Sequence, residues 1–241
     1  MAAAPARLSF DAVLFDYGRT LVTFAYPTDE LLQVLRGFRP RIAEALGTDA
    51  PAAEAILKNV LLPLEDQIGS TSLDEVDYVH VYRAAWQHAG LDLPEELLLQ
   101  VLDAEQLCWD RSVQVDPDSL QVLSWLGAHG LKRALCSNAP FPPGMMQRQV
   151  DGNGIGELVE AVVFSSSVGR RKPAPEIYQA ALTALGVVPE KALFVGDRVR
   201  EDYEGPRAVG MSAVICTAHA TELPPVGTET IASLSDLPGW L

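Results

Sequence analysis

Ala12-Val13-Leu14-Phe15-Asp16-Tyr17-Gly18-Arg19-Thr20-Leu21 is a four-residue apolar run that ends in an acid and a glycine-containing turn. A short continuous apolar run bounded by turn residues reads as a strand buried on both faces, as in a parallel sheet. Four further runs share that character: Arg133-Ala134-Leu135-Cys136, Ala161-Val162-Val163-Phe164, Ala192-Leu193-Phe194-Val195 and Ala213-Val214-Ile215-Cys216. Amphipathic stretches of helical length lie between them. Asp116 to His129 carries Leu120, Leu123 and Leu126 at spacings of three and is closed by Gly130. Pro175 to Leu185 opens with Pro and Glu and is closed by Gly186. Strands alternating with helices predict an α/β fold, a doubly wound parallel sheet.

Residues from about 27 to 112 break this alternation. They hold no comparable apolar run but several helical patterns: Leu31 to Ala45, Ala52 to Gln67, Val76 to Ala89 and Glu95 to Asp110. This predicts a helical insertion between the first strand and the rest of the sheet. The tail, Thr221 to Leu241, is rich in Pro and Thr with a last apolar patch, and reads as a partly ordered edge.

The chain has 241 residues, with 18 Lys plus Arg against 32 Asp plus Glu, a formal net charge of −14. Such an acidic chain is a poor binder of nucleic acid or of an anionic membrane surface through bulk electrostatics. The acid is uneven: residues 24 to 115 carry six basic and sixteen acidic side chains, a net of −10, and the remainder carries −4. Cys108, Cys136 and Cys216 are too few and too scattered for a disulfide framework or a paired-cysteine metal site. The start, MAAAPARLSFDAVLFD, lacks an apolar run of signal length before Asp11 and Asp16 interrupt it. No run approaches the roughly 20 apolar residues of a membrane span. The expectation is a soluble cytoplasmic protein.

In open α/β sheets, ligands sit outside the carboxyl ends of the strands. The residues there are Asp16-Tyr17-Gly18-Arg19, then Ser137-Asn138, then Gly169-Arg170-Arg171-Lys172-Pro173, then Gly196-Asp197 with Asp202 five residues on. This ordered set resembles the haloacid dehalogenase-like hydrolase superfamily. The resemblance runs from Asp16 to about Met211 and includes the insertion, where one cap type of that family sits. It implies a Rossmann-like core of residues 1–24 and 113–241 and a helical cap of residues 25–112, with hinges near Thr23–Pro27 and Ser112–Pro117.

The resemblance also implies roles. Asp16 would be the nucleophile that forms an aspartyl-phosphate. Asp16, the Gly18 carbonyl, Asp197 and Asp202 would hold Mg²⁺, which cancels repulsion between carboxylate and phosphate. Ser137 and the backbone N–H of Asn138 would bind phosphoryl oxygens, and Lys172 would place a positive charge between nucleophile and phosphate. Asp11 precedes its strand and reads as a solvated acid instead. Tyr26, Trp86 and Trp109 are either lining residues of the cap or part of its core.

One position departs from the pattern. Phosphatases of the superfamily carry a second Asp two residues after the nucleophile, as general acid and base. Here that residue is Gly18, and the usual next Gly is Arg19. Arg19 is either a ligand of the substrate phosphate or a solvated turn residue; it cannot act as a base. General acid–base help is worth about 10²–10⁴-fold, so three readings stay open. The first is a Mg²⁺-dependent phosphohydrolase of a small phosphorylated metabolite, with its acid elsewhere or a leaving group that needs no proton. The second is a metal-independent 2-haloacid dehalogenase, against which the Asp197 and Asp202 pair argues. The third is a weak or inactive module that binds phosphate and Mg²⁺ in regulation.

Overall fold

A computed structural model of the chain describes residues 10–68 and 72–241. Residues 1–9, which include the start of the expected core unit and the segment tested for a signal, lie outside the described residues, as do 69–71 of the insertion.

Among the described residues eight strands are formed: β1 (Ala12–Phe15), β2 (Val22–Phe24), β3 (Val113–Val115), β4 (Lys132–Ser137), β5 (Ala161–Phe164), β6 (Ala192–Gly196), β7 (Ser212–Cys216) and β8 (Thr230–Ile231). Six of them make one sheet in the order β5-β4-β1-β6-β7-β8. Every pairing in it is parallel, and β1 at the centre matches Phe15 with Leu135 on one side and Val195 on the other. All four residues of β1 are fully buried. Alternation sends Val13 and Phe15 to one face with Leu123, Leu126 and Val150, and Ala12 and Leu14 to the other with Ile177, Tyr178 and Ala181. Helices cover both faces, which is the doubly wound α/β arrangement that the apolar runs predict.

The insertion is helical. Its elements are Thr28–Leu46, a nearly continuous stretch from Ala53 to Ile68 with a π-helical turn at Leu57–Leu61, Tyr78–His88 and Glu95–Ser112. They pack around their own apolar cluster, in which Leu35, Ile42, Val60, Tyr82, Trp86 and Val101 are fully buried. Trp86 is therefore core and lines no ligand surface.

Three short strands escape a reading by apolar runs. β2 and β3 pair antiparallel, Val22 against Val115, and form a ribbon where the chain leaves the sheet for the helices and returns. The segments expected as hinges near Thr23 and Ser112 thus carry this ribbon. The tail lies at the edge of the sheet, as its sequence predicts, but with more order: β8 adds a sixth parallel strand there, and Leu234 and Leu237 beyond it are buried in the core.

Candidate active site

The strand ends bring the dispersed motifs to one place. Asp16 follows β1, Ser137 ends β4, and Asp197 follows β6, so three adjacent strands deliver one side chain each. Asp202 arrives from the irregular helical stretch Val199–Glu204, which folds back under β6. Gly196 makes that return possible: a Cβ there would lie 2.3 Å from Asp202 Cγ, so only glycine admits the carboxylate.

Lys172 sits at the centre. Its Nζ donates to Asp16 Oδ1 at 2.7 Å and to Asp202 Oδ1 at 2.6 Å, and all three residues are buried. Burial by itself lowers an ammonium pKa, but the carboxylates of Asp16 and Asp202 outweigh it, so Lys172 is held charged, well above the ordinary lysine value. Ser137 Oγ donates to the same Asp16 Oδ1 at 2.7 Å. Asp202 Oδ2 accepts the backbone N–H groups of Asp197 (3.1 Å) and Arg198 (2.9 Å), which fixes its plane.

The acids are unequally satisfied. Asp197 Oδ2 is buried with no hydrogen-bond partner among the described residues. Burial first, then the charges of Asp16 and Asp202, raises the Asp197 carboxyl to about 7. Burial also raises Asp202, against the opposing pull of Lys172. Asp16, Asp197 and Asp202 offer carboxylate oxygens within 4.8 Å of one another. An orphaned buried oxygen beside two more carboxylates is a hard-oxygen donor set that fits a divalent cation.

Asn138 has a side-chain part that sequence reasoning missed. Its Oδ1 accepts the Lys172 N–H at 2.7 Å and its Nδ2 donates to the Lys172 carbonyl at 3.2 Å, so the amide clamps the lysine loop to the end of β4. Ser165, from the Ser165-Ser166-Ser167 run after β5, likewise accepts the Ala139 N–H at 2.8 Å. These bonds join segments 26 to 34 residues apart in the chain and show only in three dimensions.

The basic residues of the third motif do not all face a ligand. Arg170 pairs with Asp74 and, at 3.4 Å, with Glu176. Arg171 donates to Glu75 at 2.8 Å in a nearly buried pair, and Ser165 Oγ bonds the second oxygen of Glu75. The backbone joins in, Glu75 N–H to Gly169 O at 3.1 Å and Arg171 N–H to Leu73 O at 2.8 Å. The acidic insertion therefore reaches into the core loop just before Lys172 and neutralises part of its positive charge.

A cavity of about 620 Å³ opens over this cluster between core and insertion. Asp16, Gly18, Arg19, Ser137, Asn138, Lys172 and Asp202 all line it, so the structure brings these predicted residues together. Arg19 holds φ at 61°, a left-handed conformation uncommon outside glycine. Part of the lining is aromatic: Phe24, Tyr26 and Trp109 contribute to it with Phe141 from the core. Phe24 gave no signal in the sequence, being a lone phenylalanine past the motif.

The comparisons agree with the geometry. A family model described as haloacid dehalogenase-like hydrolase matches residues 10–210. A phosphoserine phosphatase of Thermus thermophilus is 31% identical over 194 residues, covering 75% of this chain and 75% of its own length. A glyceraldehyde 3-phosphate phosphatase of Methanopyrus kandleri is 28% identical, covering 84% and 82%. Among solved structures, a 2-haloacid dehalogenase from Pseudomonas syringae superposes with a TM-score of 0.70 at 20% identity, covering 96% and 97%. An HAD phosphatase from Thermococcus onnurineus gives 0.64 at 23%, covering 95% and 96%. At these identities the two structures establish a shared fold.

Proposed function

The chain belongs to the haloacid dehalogenase-like hydrolase family, and from that premise we propose that it is a Mg²⁺-dependent phosphohydrolase of a small phosphorylated metabolite, acting through an aspartyl-phosphate on Asp16. The observation that carries this reading is the buried bridge of Lys172 between Asp16 and Asp202. A buried ammonium held between two acids is costly to assemble, and it supplies the positive charge that phosphoryl transfer needs beside a carboxylate nucleophile. The phosphatases among the relatives support the substrate class.

Ser137 and Lys172 both engage Asp16 Oδ1, which orients the carboxylate and leaves Oδ2 to attack phosphorus. Lys172 stabilises the negative charge that gathers on the phosphoryl oxygens. The N–H of Asn138 binds one of those oxygens, and Arg19, which lines the same cavity, supplies a further positive charge for the phosphate. Asp16, Asp197, Asp202 and the Gly18 carbonyl would hold Mg²⁺, which cancels the repulsion between carboxylate and phosphate dianion. Residues 25–112 act as a cap that closes over the site and excludes water, hinged at the β2–β3 ribbon.

The test is phosphate release from acetyl phosphate and from small sugar phosphates, with Mg²⁺ and after chelation, for the wild type and Asp16→Asn. Activity that needs Mg²⁺ and disappears in Asp16→Asn is expected. Activity that survives in Asp16→Asn would overturn the reading, as would metal-independent halide release from a 2-haloacid.

A further inference from the structure

Gly18 and Phe24 occupy each other's space. A Cβ at Gly18 would lie 3.0 Å from the ring tip of Phe24, with two more ring atoms at 3.7 and 3.9 Å. The room that a side chain at 18 would take beside the nucleophile is therefore filled by an aromatic ring carried in on β2. That flank of Asp16 carries the Phe24 ring where a carboxyl at position 18 would stand. It offers an apolar wall instead: Phe24 is 45% and Tyr26 36% exposed, both face the cavity, and Tyr26 packs edge-on against Trp109 with centroids 5.1 Å apart. Large aromatic surface left open inside a concave site, next to a few convergent polar groups, is the signature of a ligand that covers it.

Resting on the phosphohydrolase reading, we propose that the substrate is an aryl phosphate, the phosphate monoester of a phenolic ring, and that Phe24 is the residue that selects it. The two halves of the observation converge on this class. A planar ring stacks on Phe24 in an offset or edge-on arrangement. The same ring makes a leaving group that departs without an acid: a phenol has a pKa of roughly 10, far below that of water. In the first step an oxygen of Asp16 forms a bond to phosphorus as the bond from phosphorus to the phenolic oxygen breaks. The electron pair leaves on that oxygen as phenolate, which takes a proton from solvent. In the second step water attacks phosphorus, the aspartyl-phosphate bond breaks, and inorganic phosphate and the free Asp16 carboxylate result. No oxidant, reductant or further co-reactant enters.

Three probes test it: phenyl phosphate, cyclohexyl phosphate (same bulk, poor leaving group, no π face) and acetyl phosphate (good leaving group, no ring). They are assayed on the whole protein with Mg²⁺, in the wild type, Phe24→Ala and Phe24→Tyr. The wild type is expected to prefer phenyl over cyclohexyl phosphate by about 10² or more in kcat/KM, the range an absent general acid implies. The phenyl-to-acetyl ratio of kcat/KM is expected to fall about two- to twelvefold in Phe24→Ala, through KM, and to be kept in Phe24→Tyr. An unchanged ratio in Phe24→Ala would overturn the proposal while acetyl phosphate turnover left the phosphohydrolase reading standing. Cyclohexyl phosphate hydrolysed as well as phenyl phosphate would also overturn it, because a cavity carboxyl such as Glu65 or Glu201 would then be supplying the proton. Failure on all three probes would overturn both readings.

Discussion

Lys172 Nζ and Asp16 Oδ1, separated by 156 residues in the chain, meet at 2.7 Å inside the protein. The same ammonium holds Asp202, so one charge compensates two buried carboxylates. Removing it leaves both acids uncompensated. Lys172→Met is expected to cost about 3–5 kcal/mol of stability, the loss typical of breaking a buried ion pair, and at least about 10²-fold in turnover. Denaturant unfolding and steady-state rates measure the two effects; a variant as stable and as active as the wild type would remove Lys172 from the account.

Glu105 gives a pH signature that is separate from the candidate active site. It lies fully inside the helical insertion, where Tyr82 donates to its Oε2 at 3.0 Å and its Oε1 has no partner among the described residues. Burial raises its carboxyl to about 8 from an ordinary value of 4.5, with the Tyr82 bond pulling the other way and Glu65 adding to the rise. The folded chain therefore keeps a proton that the unfolded chain releases between those values. Stability contributed by this group is full below pH 4.5 and is lost as pH rises toward 8, at up to about 1.4 kcal/mol per pH unit. Glu105→Gln stays neutral throughout. Its unfolding free energy relative to wild type should rise as pH is raised from 5 to 8, and a flat difference would contradict the assignment.

Glu75 and Arg171 join the insertion to the loop of Lys172 in a nearly buried pair. A double-mutant cycle on Glu75→Gln and Arg171→Met should give a coupling of order 1–3 kcal/mol in unfolding free energy. If the pair also fixes the insertion over the proposed site, Glu75→Gln raises KM for acetyl phosphate more than it lowers kcat. Additive single changes would show that the two side chains do not act together.

Gly18→Asp places a carboxyl two residues after Asp16, but the ring of Phe24 stands in its way. The single change should raise turnover of cyclohexyl phosphate modestly. The double change Gly18→Asp with Phe24→Ala should raise it further, toward the 10²–10⁴-fold range of general acid catalysis. Equal rates in the single and double variants would show that Phe24 does not control the space.

The sheet and the site differ in how much the sequence discloses. β1, β4, β5, β6 and β7 are apolar runs because each is covered on both faces, and burial on both faces writes itself into consecutive residues. β2, β3 and β8 are two or three residues long, too short for any pattern, and their existence depends on partners up to 93 positions away. Asp16, Ser137 and Asp197 are legible because each lies at or directly after the end of an apolar strand, while Lys172 and Asp202 are legible through their spacing from those strands. The clamp by Asn138, the reach of Glu75 to Arg171 and the ring of Phe24 over Gly18 are contacts between separate elements, and no local pattern encodes them. The net charge shows the same limit: the basic cluster beside Lys172 is legible, while its partial neutralisation by Asp74 and Glu75 is not.

In the proposed reaction Asp16 carries a covalent phosphoryl group during turnover. Acid quenching of the Mg²⁺-loaded protein during turnover of ³²P-labelled acetyl phosphate, followed by mapping of the label, measures it directly. Label is expected on the peptide that contains Asp16, released by hydroxylamine as an acyl phosphate must be, and absent from Asp16→Asn. Turnover with no label in the wild type, or label that persists in Asp16→Asn, would contradict it.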